Sequence, residues 1–285
     1  MPLSSILMLF PHITIIGAGL IGGSLALAAR RAALCEKVTG WNGGHSLDDA
    51  LALGVIDTAE ESFERGQTCR ADLIYLAAPV GAIIDFLRSR GRLLKRGAIV
   101  TDAGSTKREI CRAARESLPD DVFFVGGHPM AGSQKGGVEF ADADLFKGAA
   151  YAITTGSRAE AVERVIEMVK AIGSRPTLLT AEAHDRVVAC VSHAPQLLST
   201  ALALAAGREA ETLAGRGLED MTRLAASRWE VWRDICATNA DEMEKALGEL
   251  IDQIQWLHQA VAEKRFEDIQ DAFERANELA RRIGR

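Results

Sequence analysis

The sequence has no Cys-x-x-C pair, no even set of cysteines and no excess of positive charge, and each absence removes a class of protein. Its five cysteines, Cys35, Cys69, Cys111, Cys190 and Cys236, are widely spaced, which argues against a disulfide framework or a zinc site and fits a reducing cytoplasm. Lys and Arg number 33 against 39 Asp and Glu, and the formal charge of −6 opposes nonspecific attraction to nucleic acid or an anionic membrane. The apolar start Ile6 to Phe10 has no basic residue before it and no small-residue cleavage site, so no signal peptide is expected. The longest low-polarity stretch, Val187 to Ala206, is interrupted by Ser192, His193, Pro195, Gln196, Ser199 and Thr200. It reads as a buried or subunit-facing helix and not as a membrane span.

What is present is 285 residues, 48% hydrophobic and 25% charged, enough for an ordinary soluble protein of two domains. From His12 to Leu179, short β-rich runs (Ile13–Ile16, Val38–Trp41, Leu73–Ala77, Ala98–Thr101, Val122–Val125, Tyr151–Thr154, Thr177–Leu179) alternate with helical patterns such as Leu20–Arg31, Lys107–Ser117 and Ala159–Ile172. That order predicts an α/β domain over residues 1–180, a Rossmann-like, doubly wound, mostly parallel sheet covered by helices. After Thr180 only helical periodicity remains, so residues 181–285 are predicted to form an all-α domain. Its stripes Met243, Leu247, Leu250, Ile254, Leu257, Val261 and Phe266, Ile269, Phe273, Ala276, Ala280, Ile283 predict a helical core. The nearly all-round apolar Val187–Ala206 helix predicts a homodimer that helps to cover it.

Gly17-Ala18-Gly19-Leu20-Ile21-Gly22 follows the first strand and opens a helix. In that setting Gly17 permits the tight turn, Gly19 lets a pyrophosphate approach the backbone, and Gly22 lets helix and strand pack closely. The second strand ends at Trp41, and the next residue, Asn42, stands where an acidic side chain usually binds the adenosine ribose. A neutral amide leaves NADP open, but Gly43, Gly44 and His45 offer no arginine for a 2′-phosphate, so NAD is the expected cofactor. Ala78 and Pro79 after the third strand are placed along the cofactor, although a Pro-initiated helix fits the same residues. No metal is expected.

The carboxyl edge of such a sheet also receives Asp102-Ala103-Gly104-Ser105-Thr106-Lys107, Gly127-His128-Pro129-Met130-Ala131-Gly132 and His184-Asp185-Arg186. Asp102 and Gly104 are assigned to the cofactor site. His128, extended by the proline after it and set in a glycine-bordered loop, has the near-neutral pKa of a general base for an alcohol proton. Ser105 reads equally as the cap of the helix that follows.

These segments, with Ser192-His193-Ala194-Pro195, Asp220-Met221-Thr222-Arg223 and Trp232-Arg233-Asp234-Ile235, resemble in order the prephenate and arogenate dehydrogenases of tyrosine biosynthesis. The resemblance implies a Rossmann-type domain followed by a helical dimerisation domain, and NAD(P)-dependent oxidative decarboxylation of a cyclohexadienyl substrate. It implies that His128 accepts the proton of the ring hydroxyl, that Ser105 orients that hydroxyl, that Arg223 clamps a carboxylate, and that His193 and Gln196 line the pocket. Gln196 replaces a second histidine of many prephenate-specific members, which leaves prephenate and arogenate both open. Gln134 is also placed at the substrate; it replaces a frequent Glu, so an ionic gate to Arg223 cannot form. The β-hydroxyacid dehydrogenases share this architecture but need a lysine on the first helix after the sheet, and none occurs between Lys170 and Lys245. A non-catalytic NAD-sensing module is the alternative from another class.

Overall fold

Strands rich in Ile, Val and Thr alternate with amphipathic helices from His12 onward. In the computed structural model, which describes residues 8–133, 135–208 and 210–283, the order is β1 (His12–Ile16), α1 (Leu20–Arg31), β2 (Lys37–Trp41), α2 (Asp48–Ala52), β3 (Thr58–Ala59), β4 (Leu73–Leu76), α3 (Val80–Arg90), β5 (Ile99–Asp102), α4 (Arg108–Ser117), β6 (Phe123–Val125), β7 (Gly127–Pro129), β8 (Ala150–Thr154), α5 (Ala159–Ala171) and β9 (Arg175–Leu179). The helices α6 (Ala181–Val188), α7 (Ala194–Ala206), α8 (Ala210–Leu213), α9 (Arg216–Thr222), α10 (Trp229–Ala262) and α11 (Phe266–Ile283) follow. The chain divides into two compact units, Met1–Val188 with Ala226–Asn239, and Ala189–Ala225 with Ala240–Arg285. One division falls at a π-helical turn, Ala189–His193, and another at Asn239, whose φ of −140° and ψ of 26° interrupt α10.

In the first unit, six strands form an all-parallel sheet in the order β3-β2-β1-β4-β5-β6. Ile13 of β1 lies between Val38 of β2 and Leu73 of β4, so the winding reverses beside β1. The loops after β1 and β4 therefore flank the crevice where such sheets bind ligands. The central strands β4 and β5 are buried throughout, as strands covered on both faces are; β4 is a continuous apolar run, whereas β5 ends on the buried polar residues Thr101 and Asp102. Leu25, Ala28 and Ala29 of α1 with Val165, Met168 and Val169 of α5 cover one face. Val80, Ile83, Phe86 and Leu87 of α3 with Ile110, Ala113 and Ala114 of α4 cover the other. Each large side chain so buried contributes about 1.5–3 kcal/mol.

The sheet is smaller than the sequence pattern suggests, because β7, β8 and β9 form a separate sheet with β7 antiparallel to β8. Two glycines allow the close approach at the junction of the sheets. A Cβ on Gly127 would lie 2.5 Å from the Asp102 carbonyl oxygen, and one on Gly126 would lie 2.7 Å from Thr154 Oγ1. His128, anticipated in a loop, is the middle residue of β7 and sits opposite Ala152. Fully buried Tyr75 and Tyr151 link the two sheets through hydroxyls 3.3 Å apart, and burial raises both phenols well above their ordinary pKa.

In the second unit Ala189, Ala194 and Ala246 form a small core. The anticipated helical core is only partly realised: Ile254, Leu257, Val261, Phe266, Phe273 and Ile283 are exposed in the single chain. The run Ala181–Ala206, whose most apolar 18-residue window has a mean hydropathy of 1.5, has the length and composition to cross a membrane. Its polar groups are nevertheless bonded to protein, since Gln196 Nε2 donates to the Leu224 carbonyl at 2.8 Å and Ser199 Oγ accepts the Ala225 N–H at 3.1 Å.

Candidate active site

Three helices, α1, α3 and α4, begin at the carboxyl edge of the parallel sheet, each presenting backbone N–H groups and the positive end of its dipole. Two of the three receive a carboxylate from elsewhere in the unit. Asp234 Oδ2 accepts Gly81 N at 2.9 Å near the start of α3. Asp185 accepts Lys107 N at 2.6 Å and Arg108 N at 2.9 Å at the start of α4. Ser105, anticipated as a cap of α4, is not its cap, because the carboxylate of Asp185 takes those N–H groups. The N-terminus of α1 differs: its N-cap is Gly19, with no side-chain cap and no acidic residue in the first turn.

The glycine turn before α1 fits a dinucleotide. Gly17 has φ +91°, and a Cβ there would lie 2.5 Å from the Ala77 carbonyl oxygen. A Cβ on Gly22 would lie 2.2 Å from the Gly17 carbonyl oxygen. Gly19, by contrast, faces open space, with nothing within 4 Å of a Cβ built on it. The first and third glycines thus shape the turn, and the middle one opens toward a ligand. A cavity of about 340 Å³ is lined by Gly17, Ala18, Gly19, Asn42, Ala78 and Pro79, and one of about 380 Å³ by Trp41, Asn42, Pro79, Ala82, Phe86 and Arg90. Leu20 and Ile21 open α1 beside the first of these. Asn42 also borders a cavity walled by Glu60, Glu61, Glu64 and Arg65, in which Arg65 is paired with Glu61.

Asp102 and Gly104 are turned into the protein. The Asp102 carboxylate is wholly buried, accepts Gly127 N at 2.9 Å and Gly104 N at 2.8 Å, and pairs with the equally buried Lys107. It thereby ties the end of β5 to the start of β7. A Cβ on Gly104 would lie 2.5 Å from Ile110 Cδ1, so this glycine answers to packing.

His128 belongs to a chain of polar side chains. Its Nδ1 lies 2.9 Å from His184 Nε2, and His184 Nδ1 lies 2.8 Å from Asp185 Oδ1. The Thr180 hydroxyl accepts Ala183 N at 3.1 Å and sets the start of α6, which carries His184 and Asp185. Asn239 Nδ2 donates to the Asp185 carbonyl at 2.9 Å, and Arg108 donates to Asn239 Oδ1 at 3.0 Å and to Asp185 Oδ2 at 3.3 Å. Burial lowers the His184 pKa despite the opposing pull of Asp185. Burial raises that of Asp185, but hydrogen bonds from His184, Arg108 and Lys107 outweigh it and hold the carboxyl below its usual range.

Ser105 is half-buried in the β5–α4 loop. In the helical unit, His193 is buried at the end of the π turn, and Gln196 reaches the segment just after Arg223, which opens a 3-10 turn, Arg223–Ala226. Gln134 lies outside the described residues. The polar partners Lys107, Arg108, Asp234 and Asn239 carried no local sequence signal. His184 and Asp185 stood in a noted segment without a role.

Two family models match the sequence. The prephenate dehydrogenase nucleotide-binding domain matches residues 25–178, and the prephenate dehydrogenase dimerization domain matches residues 180–275. The chain belongs to the prephenate dehydrogenase family. It is an NAD-binding dehydrogenase by that membership and by its glycine turn. It is 35% identical over 237 residues to the prephenate dehydrogenase of Lactococcus lactis subsp. cremoris, a match that covers 80% of this chain and 65% of that protein. To the cyclohexadienyl dehydrogenase of Zymomonas mobilis it is 31% identical over 265 residues, 89% of each chain. The crystal structure of prephenate dehydrogenase from A. aeolicus, in complex with hydroxyphenyl propionate and NAD+, superimposes with a TM-score of 0.90 at 27% identity, covering 98% of this chain and 100% of that one.

Proposed function

We propose that this member of the prephenate dehydrogenase family converts prephenate to 4-hydroxyphenylpyruvate and CO2 in tyrosine biosynthesis. The observation that carries the reading is His128, fixed by hydrogen bonding on a strand of the unit that also bears the uncapped glycine turn. Bound NAD supplies the acceptor for the ring hydrogen and its two electrons. The backbone from Gly17 to Gly22 holds the pyrophosphate, Asn42 meets the ribose, and Ala78 and Pro79 border the cofactor. The carboxylates of Glu60, Glu61 and Glu64 near Asn42 disfavour a 2′-phosphate and support NAD over NADP.

The substrate loses its ring hydrogen from the hydroxyl-bearing carbon, which leaves positive charge that a base relieves by taking the hydroxyl proton. His128 is that base, and Ser105 orients the hydroxyl. Loss of CO2 from the opposite carbon completes an aromatic ring and makes the step effectively irreversible. Asp102 and Gly104 act by shaping the β5–β7 junction. From the helical unit, Arg223 binds a substrate carboxylate through its planar guanidinium, with His193, Gln196 and Gln134 as further substrate residues.

Arogenate, or both compounds, is the second reading, favoured by Gln196 and by similarity to the Zymomonas cyclohexadienyl dehydrogenase. We infer a division of labour near Thr180, with residues 1–180 binding the nucleotide and residues 181–285 binding substrate and dimerising. The exposed apolar stripe of α10 and α11, most of it within the match to the dimerization domain, supports a homodimer. Five free cysteines fit the cytoplasm. Rates of NADH and NADPH formation with prephenate and with arogenate test the reading. Turnover of prephenate with NAD+ supports it; no turnover of either compound by protein that binds NAD+ leaves the NAD-sensing alternative.

A further inference from the structure

A histidine that takes a proton must present a ring nitrogen bearing a lone pair, and either nitrogen can hold it. We propose that Asp185 and His184 are positioning residues that fix the tautomer of His128, so that Nδ1 carries its proton and Nε2 accepts the proton of the substrate hydroxyl. The inference rests on the reading of His128 as the base.

The tautomer follows from one carboxylate. Asp185 accepts two backbone N–H groups at the start of α4 and the Arg108 side chain, and these donors keep it ionised. An ionised carboxylate can only accept, so across the 2.8 Å separation His184 Nδ1 is the donor. His184 is 1% exposed, and its burial favours the neutral ring. A neutral ring protonated at Nδ1 has its lone pair at Nε2. That nitrogen lies 2.9 Å from His128 Nδ1, so His128 donates from Nδ1, and its own lone pair is left at Nε2.

Burial, more than the surrounding charges, favours this state. Asp102 faces it from the end of β5, Lys107 from the β5–α4 loop, Asp185 from its own helix and His128 from β7, while Arg108 at the start of α4 and neutral Asn239 of α10 bond to Asp185. Burial outweighs the pull of the two carboxylates, and His184 stays neutral. When the hydroxyl O–H breaks, the proton forms a new N–H at His128 Nε2, and the resulting imidazolium keeps its Nδ1–H bond to His184. The ring hydrogen leaves with its electron pair to bound NAD. The pair from the breaking C–CO2 bond completes the aromatic ring, and Nε2 returns its proton to the phenolate oxygen. A purely structural role at position 184 would need no lone pair aimed at a half-exposed imidazole.

Two measurements test the proposal. In 15N–1H correlation spectra of the wild-type protein at neutral pH, with His128 assigned by its absence in His128→Asn, long-range ring couplings separate the two tautomers. The Nδ1–H form is required, and the Nε2–H form overturns the proposal. In steady-state kinetics, His184→Phe, which keeps ring volume but has no acceptor, is expected to lower kcat about 10²-fold, the low end of what a general base contributes. KM for prephenate and Kd for NAD+ are expected to hold. The acidic limb of kcat/KM moves to lower pH as the stabilised imidazolium is lost. His184→Gln, which restores an acceptor, recovers most of kcat. In the His128→Asn background His184→Phe adds nothing, because its effect passes through His128. Equal losses in the Phe and Gln variants, or a multiplied loss in the double variant, overturn the positioning role. If His128→Asn alone is active, the base reading itself fails, an outcome distinct from a silent His184→Phe.

Discussion

Asp234 and Gly81 are 153 residues apart in the chain, yet the Asp234 carboxylate accepts the Gly81 N–H at 2.9 Å in the first turn of α3. The same segment places Thr238 Oγ1 2.8 Å from Thr106 Oγ1, so residues 226–239 brace both helices that follow β4 and β5. Replacing Asp234 with Ala removes a helix cap that Pro79, which has no side-chain acceptor, cannot supply. The expected cost is about 1 kcal/mol, read as a shift of the urea midpoint at constant m. An unchanged midpoint means that water serves Gly81 equally well.

The contrast between Gly19 and Gly22 yields a paired prediction. A Cβ at 19 meets open space, whereas one at 22 strikes the Gly17 carbonyl. Gly19→Val is expected to leave Tm nearly unchanged and to weaken NAD+ binding by roughly 10-fold or more, because its side chain occupies the space assigned to the pyrophosphate. Gly22→Val is expected to lower Tm. Loss of Tm in Gly19→Val with NAD+ affinity retained would place the cofactor elsewhere.

At the ribose, Asn42→Asp adds a negative charge where three cavities meet. Its kcat/KM is expected to fall for NADP+ more than for NAD+, read by parallel titration of the two cofactors. Equal loss with both contradicts placement of Asn42 at the ribose.

Arg223→Ala is expected to raise KM for prephenate while Kd for NAD+ stays within about twofold. Unchanged KM would reassign this guanidinium to a surface role.

Buried His184 and half-buried His12 both have lowered pKa values, the first mainly by burial and the second by burial with help from Lys37. A depressed pKa means that the folded protein resists protonation more than the unfolded chain does. Their contribution to stability is complete above the ordinary histidine value of 6.5 and is lost as pH falls below it toward the folded values. Tm should therefore drop on acidification through that window, and less steeply in His184→Gln. Equal slopes in the two proteins contradict the assignment of a neutral His184.

What could be read in the sequence was local. The turn Gly17–Gly22 declares its conformation within six residues, and α1 spans Leu20–Arg31, the range its periodicity predicts. Strands of two or three residues, β3 and β7, are too short for a period to show. Helix capping by Asp185 and Asp234 was illegible for a different reason. A carboxylate 77 or 153 residues distant leaves no mark beside the N–H it accepts. An isolated lysine such as Lys107 carries no mark of burial in the sequence, and only folding reveals it fully buried against Asp102. The exposed stripe on α10 and α11 shows the converse limit: periodicity identifies an apolar face, but not which molecule covers it.

The central claim is that His128 takes the hydroxyl proton, and it is tested most directly by single-turnover NADH formation at saturating prephenate and NAD+ in wild-type protein and His128→Asn. The predicted result is a rate lower by 10²- to about 10⁴-fold in the variant, with Kd for NAD+ unchanged. A rate within about threefold of wild type would show that the chemistry does not pass through this imidazole.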